Sequence, residues 1–400
     1  MGAIKELGRR SVKERWEDVS GLWEEAEDTR EPIRRMVKET LETAMVVELE
    51  RVLSAGHYER TSQRQGFRKG FRQRQLGTGV GVIRDLRVPR AAGIHYQPEA
   101  IEAFRRRDRL VEEGIRELFF QGISTRNVGK VLKLLTGESV SAGTVSRLTQ
   151  QLDHEVGAFH LRSLDERYRY LFLDGVVVST RQGASHGKLV LLCATALTHG
   201  GKRVFLDFRK AKSESEAEWR VLLNSLYNRG VRPEQLELIT TDGGTGLHSA
   251  LLEVYGDVPR QRCWAHKLRN VASYLRRANQ EVCLKQAKLI YLSSTRREAV
   301  RRFWEWARAW RDLEPKAVAC LEKDLEELLA VFAVPPAHRQ RVRTTNMIER
   351  FFRDVRRRTR PMGCFQNAAS AERTLYFQAA RYNQKWEDKP LLAFKSPHSI

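Results

Sequence analysis

The sequence predicts an α/β protein in which a long helical block interrupts a strand-bearing core, with α-helical regions before the core. An apolar, β-branched run from Tyr170 to Ser179 is typical of a buried strand. Strand-like runs follow at 188–198, 203–208 and 236–241, and a helical pattern at 214–229 separates the last two. Nearly everything from Gln280 to Phe332 is then helical in pattern, which indicates a helical block inserted between strand-bearing halves.

The chain carries a large and unevenly placed excess of positive charge. It has 71 Lys and Arg against 50 Asp and Glu, a formal net charge of +21. Residues 61–110 hold 12 basic against 4 acidic residues, and residues 339–360 hold 9 against 2, whereas residues 1–60 hold 11 against 14. Such clustering indicates a polyanionic partner and favours nucleic acid. Charge alone leaves an anionic membrane or an acidic protein open.

Several classes of protein are disfavoured. No apolar run approaches the roughly 20 residues of a membrane span, and the first residues lack a segment of signal-peptide type, so we expect a cytoplasmic protein that binds no membrane. No Gly-x4-Gly-Lys-Ser/Thr loop for a nucleoside triphosphate is present. The cysteines form no CxxC pair, and their odd number argues against a disulfide framework, so reduced thiols are expected at Cys193, Cys263, Cys283, Cys320 and Cys364.

The first 97 residues divide into an acidic and a basic part. Residues 1–56 have helical periodicity and are predicted to pack as a dimer-forming helix pair. Residues 57–97 are basic and contain a predicted hairpin at 80–88. Between Gly66 and Arg74 aromatic residues alternate with cations, which suits phosphate contact combined with base or sugar stacking. The DNA-binding candidates here are Arg68, Lys69, Arg72 and Arg74, and the alternative is a solvated basic loop.

Residues 98–160 have the outline of a helix-turn-helix. Ser124 can cap a helix that runs to about Leu135, and Ser141 can cap a second that runs to about Leu152. A short connection containing glycine joins them. The second helix would present Thr144, Arg147 and Gln150 to a DNA groove, although a purely structural helix pair fits the pattern equally well.

Three carboxylates are placed where chemistry is possible. Asp174 lies inside the predicted strand, where a charge is costly unless something binds it. The alternatives are an Asp-Gly hairpin turn and a structural salt bridge. Asp242 follows the strand at 236–241 and could be an ordinary turn residue. Glu349 lies on the first turn of a helix predicted from about 347 to 358, and Asn346-x-x-Glu349 also fits a capping box.

Taken together, the three carboxylates suggest side chains from separate elements converging on one site. Mg²⁺ prefers a few carboxylate oxygens together with water and phosphate oxygens. Two such ions can activate a water or a 3′-hydroxyl for in-line attack at phosphorus. Arg353, Arg356, Arg357 and Arg360 follow Glu349 on the same side of the helix and are placed to hold a phosphodiester.

Two further motifs have ordinary explanations. The Gly183-Ala184-Ser185-His186-Gly187 stretch has the spacing of a hydrolase nucleophile elbow, but strands are predicted on both sides, so we expect a hairpin loop. Trp304, Trp306 and Trp310 are expected to form helix core rather than a wedge for DNA.

The chain resembles the mutator-type transposases of bacterial insertion sequences, which carry a DDE triad on a ribonuclease H-like fold. The resemblance covers about residues 57–385 and holds several motifs in the family's order. The matching stretches are Leu173-Asp174-Gly175, Thr241 to Leu247, Arg262 to Asn270, Thr344 to Glu349, and Arg356 to Thr359. Similar stretches occur at Gly66 to Arg72 and Gly122 to Arg126. The second of these adds Ser124 and Arg126 to the DNA-binding candidates.

The resemblance implies roles for particular residues. Asp174, Asp242 and Glu349 would be catalytic ligands of two Mg²⁺ ions, for which Mn²⁺ can substitute. Cys263 and His266 would match the C/D-x2-H signature, and Arg356 a basic residue beyond the glutamate. A zinc site at Cys263-x-x-His266 lacks a second ligand pair. We favour His266 near the scissile phosphate or a metal-bound water, over a helix start in which Cys263 packs as a buried thiol.

The resemblance also implies the architecture and the activity. A ribonuclease H-like core would occupy 165–262 and 339–400, with an all-α insertion domain at 263–338. The protein would bind terminal inverted repeats and target DNA as a homodimer, nick the DNA, and transfer a strand by a copy-out, paste-in route through a circular intermediate. The rival functions are a DNA-binding regulator without chemistry and a structure-selective nuclease.

Overall fold

The computed structural model of the chain describes residues 30–101, 107–137, 139–182, 185–359 and 364–394. The first half of the predicted N-terminal helix pair, the Gly183-Ala184 pair and Arg360 lie outside these residues. The chain forms two compact units that divide between Thr149 and Gln150. The finer division into six segments stays a prediction.

In the first unit a long helix packs on a two-stranded hairpin, and three short helices follow. Its elements are α1 (Arg30–Leu53), β1 (Phe67–Thr78), β2 (Gly81–Ala92), α2 (Arg109–Phe120), α3 (Thr125–Thr136) and α4 (Ala142–Gln150).

The hairpin is longer than predicted, and the basic stretch is its first strand rather than a loop. Phe67 pairs with Ala92 and Arg72 with Val88. Ile83, Leu86 and Val88 of β2 are buried in a core with Met45 of α1. The apolar second strand anchors the hairpin, so the polar first strand can pair along it with most of its side chains exposed.

Both predicted helix caps in this unit are confirmed. Oγ of Ser124 accepts a hydrogen bond from the backbone N–H of Asn127 at 3.3 Å, and Oγ of Ser141 accepts one from the N–H of Thr144 at 3.1 Å. The first of these helices ends at Gly137, whose φ of +77° is the left-handed conformation that favours glycine. The two helices therefore form as predicted, and their docking in a DNA groove stays a prediction.

The second unit is a mixed α/β structure with helices on both faces of one sheet. Its elements are α5 (Leu152–Leu161), β3 (Tyr168–Gln182), β4 (Ser185–Thr198), β5 (Arg203–Ala211), α6 (Glu216–Asn228), β6 (Leu238–Thr241), α7 (Thr245–Tyr255), β7 (Arg260–Arg262), α8 (Trp264–Tyr274), α9 (Arg277–Tyr291), α10 (Arg296–Trp310), α11 (Pro315–Lys323), α12 (Leu325–Leu329), α13 (Pro336–Val342), α14 (Asn346–Thr359) and α15 (Ala368–Trp386).

The sheet has the strand order β5-β4-β3-β6-β7. β3, β4 and β5 are antiparallel neighbours, whereas β6 runs parallel to β3 and β7 runs parallel to β6. The four predicted strands are confirmed. β7 was missed, because three polar residues at 260–262 carry no apolar pattern. β3 is continuous through Asp174, which pairs with Cys193, so the alternative of a hairpin turn at Asp174-Gly175 is wrong.

Alternate residues of β3 face different helices. Phe172 and Val176 belong to a core that includes Phe351 of α14, whereas Leu171 and Leu173 belong to a second core with α6 and α7. Because side chains alternate along a strand, Asp174 faces the side of the sheet that α14 covers.

The predicted helical block is present between β7 and α14, as helices α8 to α13. Trp306 and Trp310 are buried in its core, as expected, but the prediction is wrong for Trp304, whose side chain is 48% exposed. The ring of Trp304 packs edge to face on that of the buried Phe303, with ring centres 5.1 Å apart, but Trp304 is not among the buried residues of α10. Within the described ranges no helix combines the length and apolarity needed to cross a bilayer.

Candidate active site

Asp174 is a buried carboxylate on the central strand. Its residue is 6% exposed, and Oδ1 accepts a hydrogen bond from the backbone N–H of Gly175 at 2.9 Å. A salt bridge to a basic side chain was one expected explanation, and the neighbours that shift its pKa are instead two acids and one histidine. Within the described parts of the chain, Asp174 therefore has no lysine or arginine among the groups that shift its pKa.

Asp242 reaches the same place from the neighbouring parallel strand. Phe172 of β3 is level with Thr240 of β6, and continuing this register by two residues brings Asp242 level with Asp174. The chain then turns at Gly243, whose φ is +87°, and Oδ1 of Asp242 accepts the N–H of Gly244 at 3.1 Å. Asp242 is thus both a turn residue and a carboxylate placed beside Asp174.

Glu349 comes from the first turn of α14, which packs on β3 and β4. Its carboxylate accepts a hydrogen bond from Arg269 of α8, and Oε1 lies 3.6 Å from Nε2 of His266. The helix begins at Asn346, and the carbonyl of Thr345 accepts the N–H of Glu349 at 3.0 Å. Glu349 therefore faces α8, and the capping box with Asn346 is not the arrangement that forms.

Cys263 and His266 connect α8 to the start of α14. The backbone N–H and the hydroxyl of Thr345 lie 3.3 and 3.4 Å from Sγ of Cys263, and the same hydroxyl lies 3.4 Å from Nδ1 of His266. Cys263 is fully buried, as predicted. The thiol is thus also a hydrogen-bonding group that fixes the helix start four residues before Glu349.

The hydrogen bonds around Cys263 shift two pKa values in opposite directions. The bond with Cys263 raises the pKa of His266, burial opposes this, and the charge of Asp174 adds to the rise. Burial raises the pKa of the Cys263 thiol, but its hydrogen bonds with His266 and Thr345 outweigh burial and bring that pKa below its ordinary value. The protonated form of His266 is therefore more stable at the site than that of a free histidine.

The three predicted carboxylates are close enough to influence one another. Burial raises the pKa of Asp174 from 3.8 to about 7, the charges of Asp242 and Glu349 add to the rise, and His266 opposes it. Like charges in a poorly solvated site disfavour ionisation. The carboxylates are therefore not scattered over unrelated surfaces.

A cavity of about 710 Å³ lies over this site. Asp174, His266 and Glu349 line it, whereas Asp242 does not. The predicted arginines of α14 face the same cavity, and its basic lining residues are Arg269, Arg353, Arg356 and Arg357. The cavity is therefore lined by both carboxylate and guanidinium groups.

The donor set suits a divalent cation, although the side chains are not arranged around one. Across the described parts of the chain, no group of three or more His, Cys, Asp and Glu side chains could hold a metal ion as placed. Glu349 is instead paired with Arg269. Carboxylate oxygens are nevertheless the ligands that Mg²⁺ prefers, and a cation would relieve the repulsion that raises the pKa of Asp174. The metal-ligand roles stay predictions.

Two residues at the site were not singled out from the sequence. Arg269 lies three residues after His266, on the same side of α8, a spacing that could have identified it. Glu214 precedes α6, and a Cβ atom at Gly175 would lie 2.5 Å from its Oε1. Burial raises the pKa of Glu214, and Asp242 adds to the rise. No local pattern indicates Glu214, because its position depends on how the loop packs against β3.

The predicted DNA-binding residues of the hairpin fall into two groups. Lys69 and Arg72 are exposed on β1, beside the exposed Phe71, and the guanidinium of Arg87 lies 4.4 Å from that ring. Arg68 instead donates to Glu50 and to the carbonyls of Ala55 and Gly56, which ties β1 to the end of α1. Arg74 is partly buried, and burial and then Arg72 lower its pKa.

The candidates in the helical part of the first unit are also placed. Arg126 is exposed on the first turn of α3, and Arg147 is exposed on α4. Ser124 uses its oxygen as the cap of α3. Thr144 is half-buried, and its hydroxyl lies 3.0 Å from that of Ser141. Arg126 and Arg147 are thus accessible to a ligand, whereas the hydroxyl groups of Ser124 and Thr144 make hydrogen bonds at the starts of α3 and α4.

Comparison with known proteins identifies the class. A sequence model of the family described as "Transposase, Mutator family" matches residues 13–389, so the chain belongs to the Mutator family of transposases. It is 32% identical over 357 residues to the transposase for insertion sequence element ISRM5 of Rhizobium meliloti (strain 1021), covering 89% of this chain and 88% of that protein.

Other relatives have the same description. The chain is 31% identical over 361 residues to the transposase for IS905 of Lactococcus lactis subsp. lactis (strain IL1403), covering 89% of this chain and 91% of that protein. It is 30% identical over 339 residues to the transposase for IS256 in transposon Tn4001 of Staphylococcus aureus, covering 84% of this chain and 85% of that protein. The resemblance inferred from the sequence motifs is confirmed.

Among solved structures, an intasome of simian T-cell lymphotropic virus in complex with a PP2A regulatory subunit matches 52% of this chain and 63% of that chain, at 10% identity. The TM-score of 0.18 is too low to establish a common fold.

Proposed function

We propose that this transposase cleaves and joins DNA at the ends of an insertion sequence, with Asp174, Asp242 and Glu349 as the ligands of divalent cations. The observation that carries the proposal is the proximity of these three carboxylates beside a cavity that Asp174 and Glu349 line together with arginines. Burial raises the pKa of Asp174 to about 7, and the charges of Asp242 and Glu349 add to the rise. Mutually repelling buried carboxylates are characteristic of sites that bind metal or perform proton chemistry.

The architecture supports a ribonuclease H-like core. Three antiparallel strands followed by two strands parallel to the first, with helices on both faces, agree with what the family resemblance implies. Helices α8 to α13 would be the all-α insertion domain between the second aspartate and the glutamate.

The residues of the cavity have distinct roles in this proposal. Asp174, Asp242 and Glu349 would hold Mg²⁺, or Mn²⁺ in its place, which would supply Lewis acidity for activating the attacking water or 3′-hydroxyl and for stabilising the leaving oxygen. Arg353, Arg356 and Arg357 hold the phosphodiester through charge-assisted hydrogen bonds. His266, whose pKa is raised at the site, donates a hydrogen bond to a phosphate oxygen.

The rest of the reaction follows from the family. The exposed basic residues of β1, α3 and α4 would bind the terminal inverted repeats, and the nicked end would attack a second phosphodiester. The copy-out, paste-in route through a circular intermediate is proposed on the family resemblance alone. Because two ends must be brought together, a homodimer is expected on DNA.

The test uses a labelled inverted-repeat duplex with Mg²⁺ or Mn²⁺ and compares the wild type with Asp174→Asn. Asp312→Asn, the same change at an exposed residue, is the matched control. We expect end-specific nicking and joining that Asp174→Asn abolishes and the control retains. A pre-nicked end that carries a 3′-deoxynucleotide should be bound but not joined.

Each other result identifies a rival. Specific binding without any divalent-dependent strand breakage would overturn the proposal in favour of a DNA-binding regulator. Cutting that ignores the inverted repeat, or that never joins strands, would indicate a nuclease.

A further inference from the structure

A second cavity, of about 490 Å³, adjoins the active site. Glu349 and Arg353 line both cavities, so a ligand in the second cavity would lie next to the active site. We call this second cavity the arginine pocket. The residues that define it are Arg203 of β5, Arg341 and Arg343 at the end of α13, Arg350 of α14, and Tyr382 and Trp386 of α15.

The charge of the arginine pocket is strongly one-sided. Among the described residues that line it there are five arginines, and Glu349 is the single acid. Burial lowers the pKa of Arg203, Tyr382 opposes this, and the charges of Arg341 and Arg350 lower it further. The guanidinium groups therefore repel one another, and a bound anion would relieve that repulsion.

One buried donor in the pocket has no acceptor. Nη1 of Arg203 is inaccessible to solvent and has no hydrogen-bond partner in the described part of the chain. A buried donor without a partner is destabilising, so the protein alone leaves the Arg203 guanidinium incompletely paired.

Aromatic rings hold the arginines in place. The guanidinium of Arg203 lies 3.8 Å from the ring centre of Trp386, and that of Arg343 lies 4.3 Å from the ring centre of Tyr291. Stacking of this kind fixes a guanidinium plane while leaving its edge free for phosphate. The same rings can stack on a nucleobase.

The size of the pocket limits what can enter. A volume of this order accommodates a small molecule and not a duplex. We propose that the arginine pocket binds one unpaired nucleotide of the DNA strand adjoining the cleaved bond, with its phosphate on Arg203, Arg341 and Arg350 and its base against Trp386. This inference rests on the proposed function, because it takes DNA as the substrate of the neighbouring site.

The test measures binding in EDTA, so that it does not depend on cleavage. Full-length protein is titrated against two fluorescent inverted-repeat duplexes, one flush and one with a short single-stranded extension at the cleavage end. The variant is Arg341→Gln/Arg350→Gln, both at exposed residues, and the charge-matched control is Arg297→Gln/Arg308→Gln on the exposed side of α10.

We expect the pocket variant to lose about tenfold or more in affinity for the extended duplex and to bind the flush duplex as the wild type does. The slope of log K against log salt for the extended duplex should fall by about 0.7 for each phosphate that the variant no longer neutralises. In a second measurement, a 5-iododeoxyuridine in the extension should photocrosslink to α15.

Several results would overturn the inference. These are equal losses on both duplexes, an equal loss in the control, no loss in the pocket variant, or crosslinks that map elsewhere. Failure of the proposed function is seen separately, as absence of metal-dependent cleavage by the wild type. Asp174→Asn should retain the preference for the extended duplex.

Discussion

Nε2 of His266 lies 3.6 Å from Oε1 of Glu349, and the same oxygen accepts a hydrogen bond from Arg269. One carboxylate oxygen is therefore shared by two basic groups of α8. A divalent cation that binds Glu349 must compete with this pairing. Residues of the helical block thus offset the charge of Glu349.

Replacing Arg269 with glutamine should strengthen metal binding. Arg269 is 60% exposed, and exposed ion pairs are worth about 0–1 kcal/mol, so the expected gain in Mn²⁺ affinity is at most about fivefold. Titration of the DNA-free protein followed by the electron paramagnetic resonance of free Mn²⁺ measures it. Arg301→Gln, which removes an exposed pair with Glu305, serves as control. Unchanged or weaker binding in Arg269→Gln would refute the competition.

The raised pKa of Asp174 predicts a dependence of stability on pH. From about pH 4 to 7 the unfolded chain has released this proton while the folded protein still holds it, so folding loses stability as pH rises. Asp174→Asn removes that loss. In EDTA the free energy of unfolding of the variant should therefore increase relative to that of the wild type as pH rises to 7, by about 1.4 kcal/mol per unit of pKa shift. Above pH 7 the difference should stay constant.

Urea unfolding at several pH values measures this difference. Mg²⁺ at pH 8 should raise the stability of the wild type and leave Asp174→Asn nearly unchanged, because ligands that bind only the folded state stabilise it. A free-energy difference that stays flat between pH 5 and 8 would show that Asp174 is ordinarily solvated.

The sequence was most informative where residue type and run length agree. β3 was predicted because a buried strand needs a continuous apolar run, and Asp174 stood out because it breaks one. β1 was misjudged because its stability comes from pairing with β2 rather than from its own side chains. β7 was missed because its three residues are all polar and show no apolar pattern, although its hydrogen bonds extend the sheet beyond β6.

The site was predictable in part for the same reason. Asp174 interrupts an apolar strand, Asp242 follows a strand and Glu349 lies at a helix start, and such positions can be found in a sequence. Glu214 reaches the active site, and Arg203 the arginine pocket, through tertiary packing that the local sequence pattern does not indicate. The pairing of Glu349 with Arg269 could likewise not be derived from spacing alone.

Cys263 should act as a positioning residue for His266. Because the hydrogen bond with Cys263 raises the pKa of His266, Cys263→Ala should lower that pKa. Nuclear magnetic resonance titration of histidine labelled at Cε1 measures it, with the missing signal of His266→Asn giving the assignment. Cys283→Ala, at a fully buried thiol elsewhere, controls for cavity effects. A pKa of His266 that Cys263→Ala leaves unchanged or raises would assign the thiol to packing alone.

Asp324 should support both the fold and the position of Asp242. It binds Lys267, which is 3% exposed, and lies 3.2 Å from Nη1 of Arg262. Arg262 in turn lies against Gly243, the turn residue after Asp242, where a Cβ atom would collide with its guanidinium. Asp324→Ala leaves a buried ammonium unpaired and should cost about 3–5 kcal/mol in urea unfolding.

A double variant separates the effect of Asp324 on stability from its effect on the position of Asp242. In Lys267→Met/Asp324→Leu the buried charges are removed together, so the free energy of unfolding should largely recover. Arg262 lacks its nearer carboxylate in that double variant and keeps the more distant Glu327, whose Oε2 lies 4.0 Å from Nη1. The turn at Gly243 is then less well supported, so DNA nicking should remain impaired. Nicking that recovers in parallel with stability would mean that Asp324 serves the fold alone, and that Asp242 is held by its own bond to Gly244.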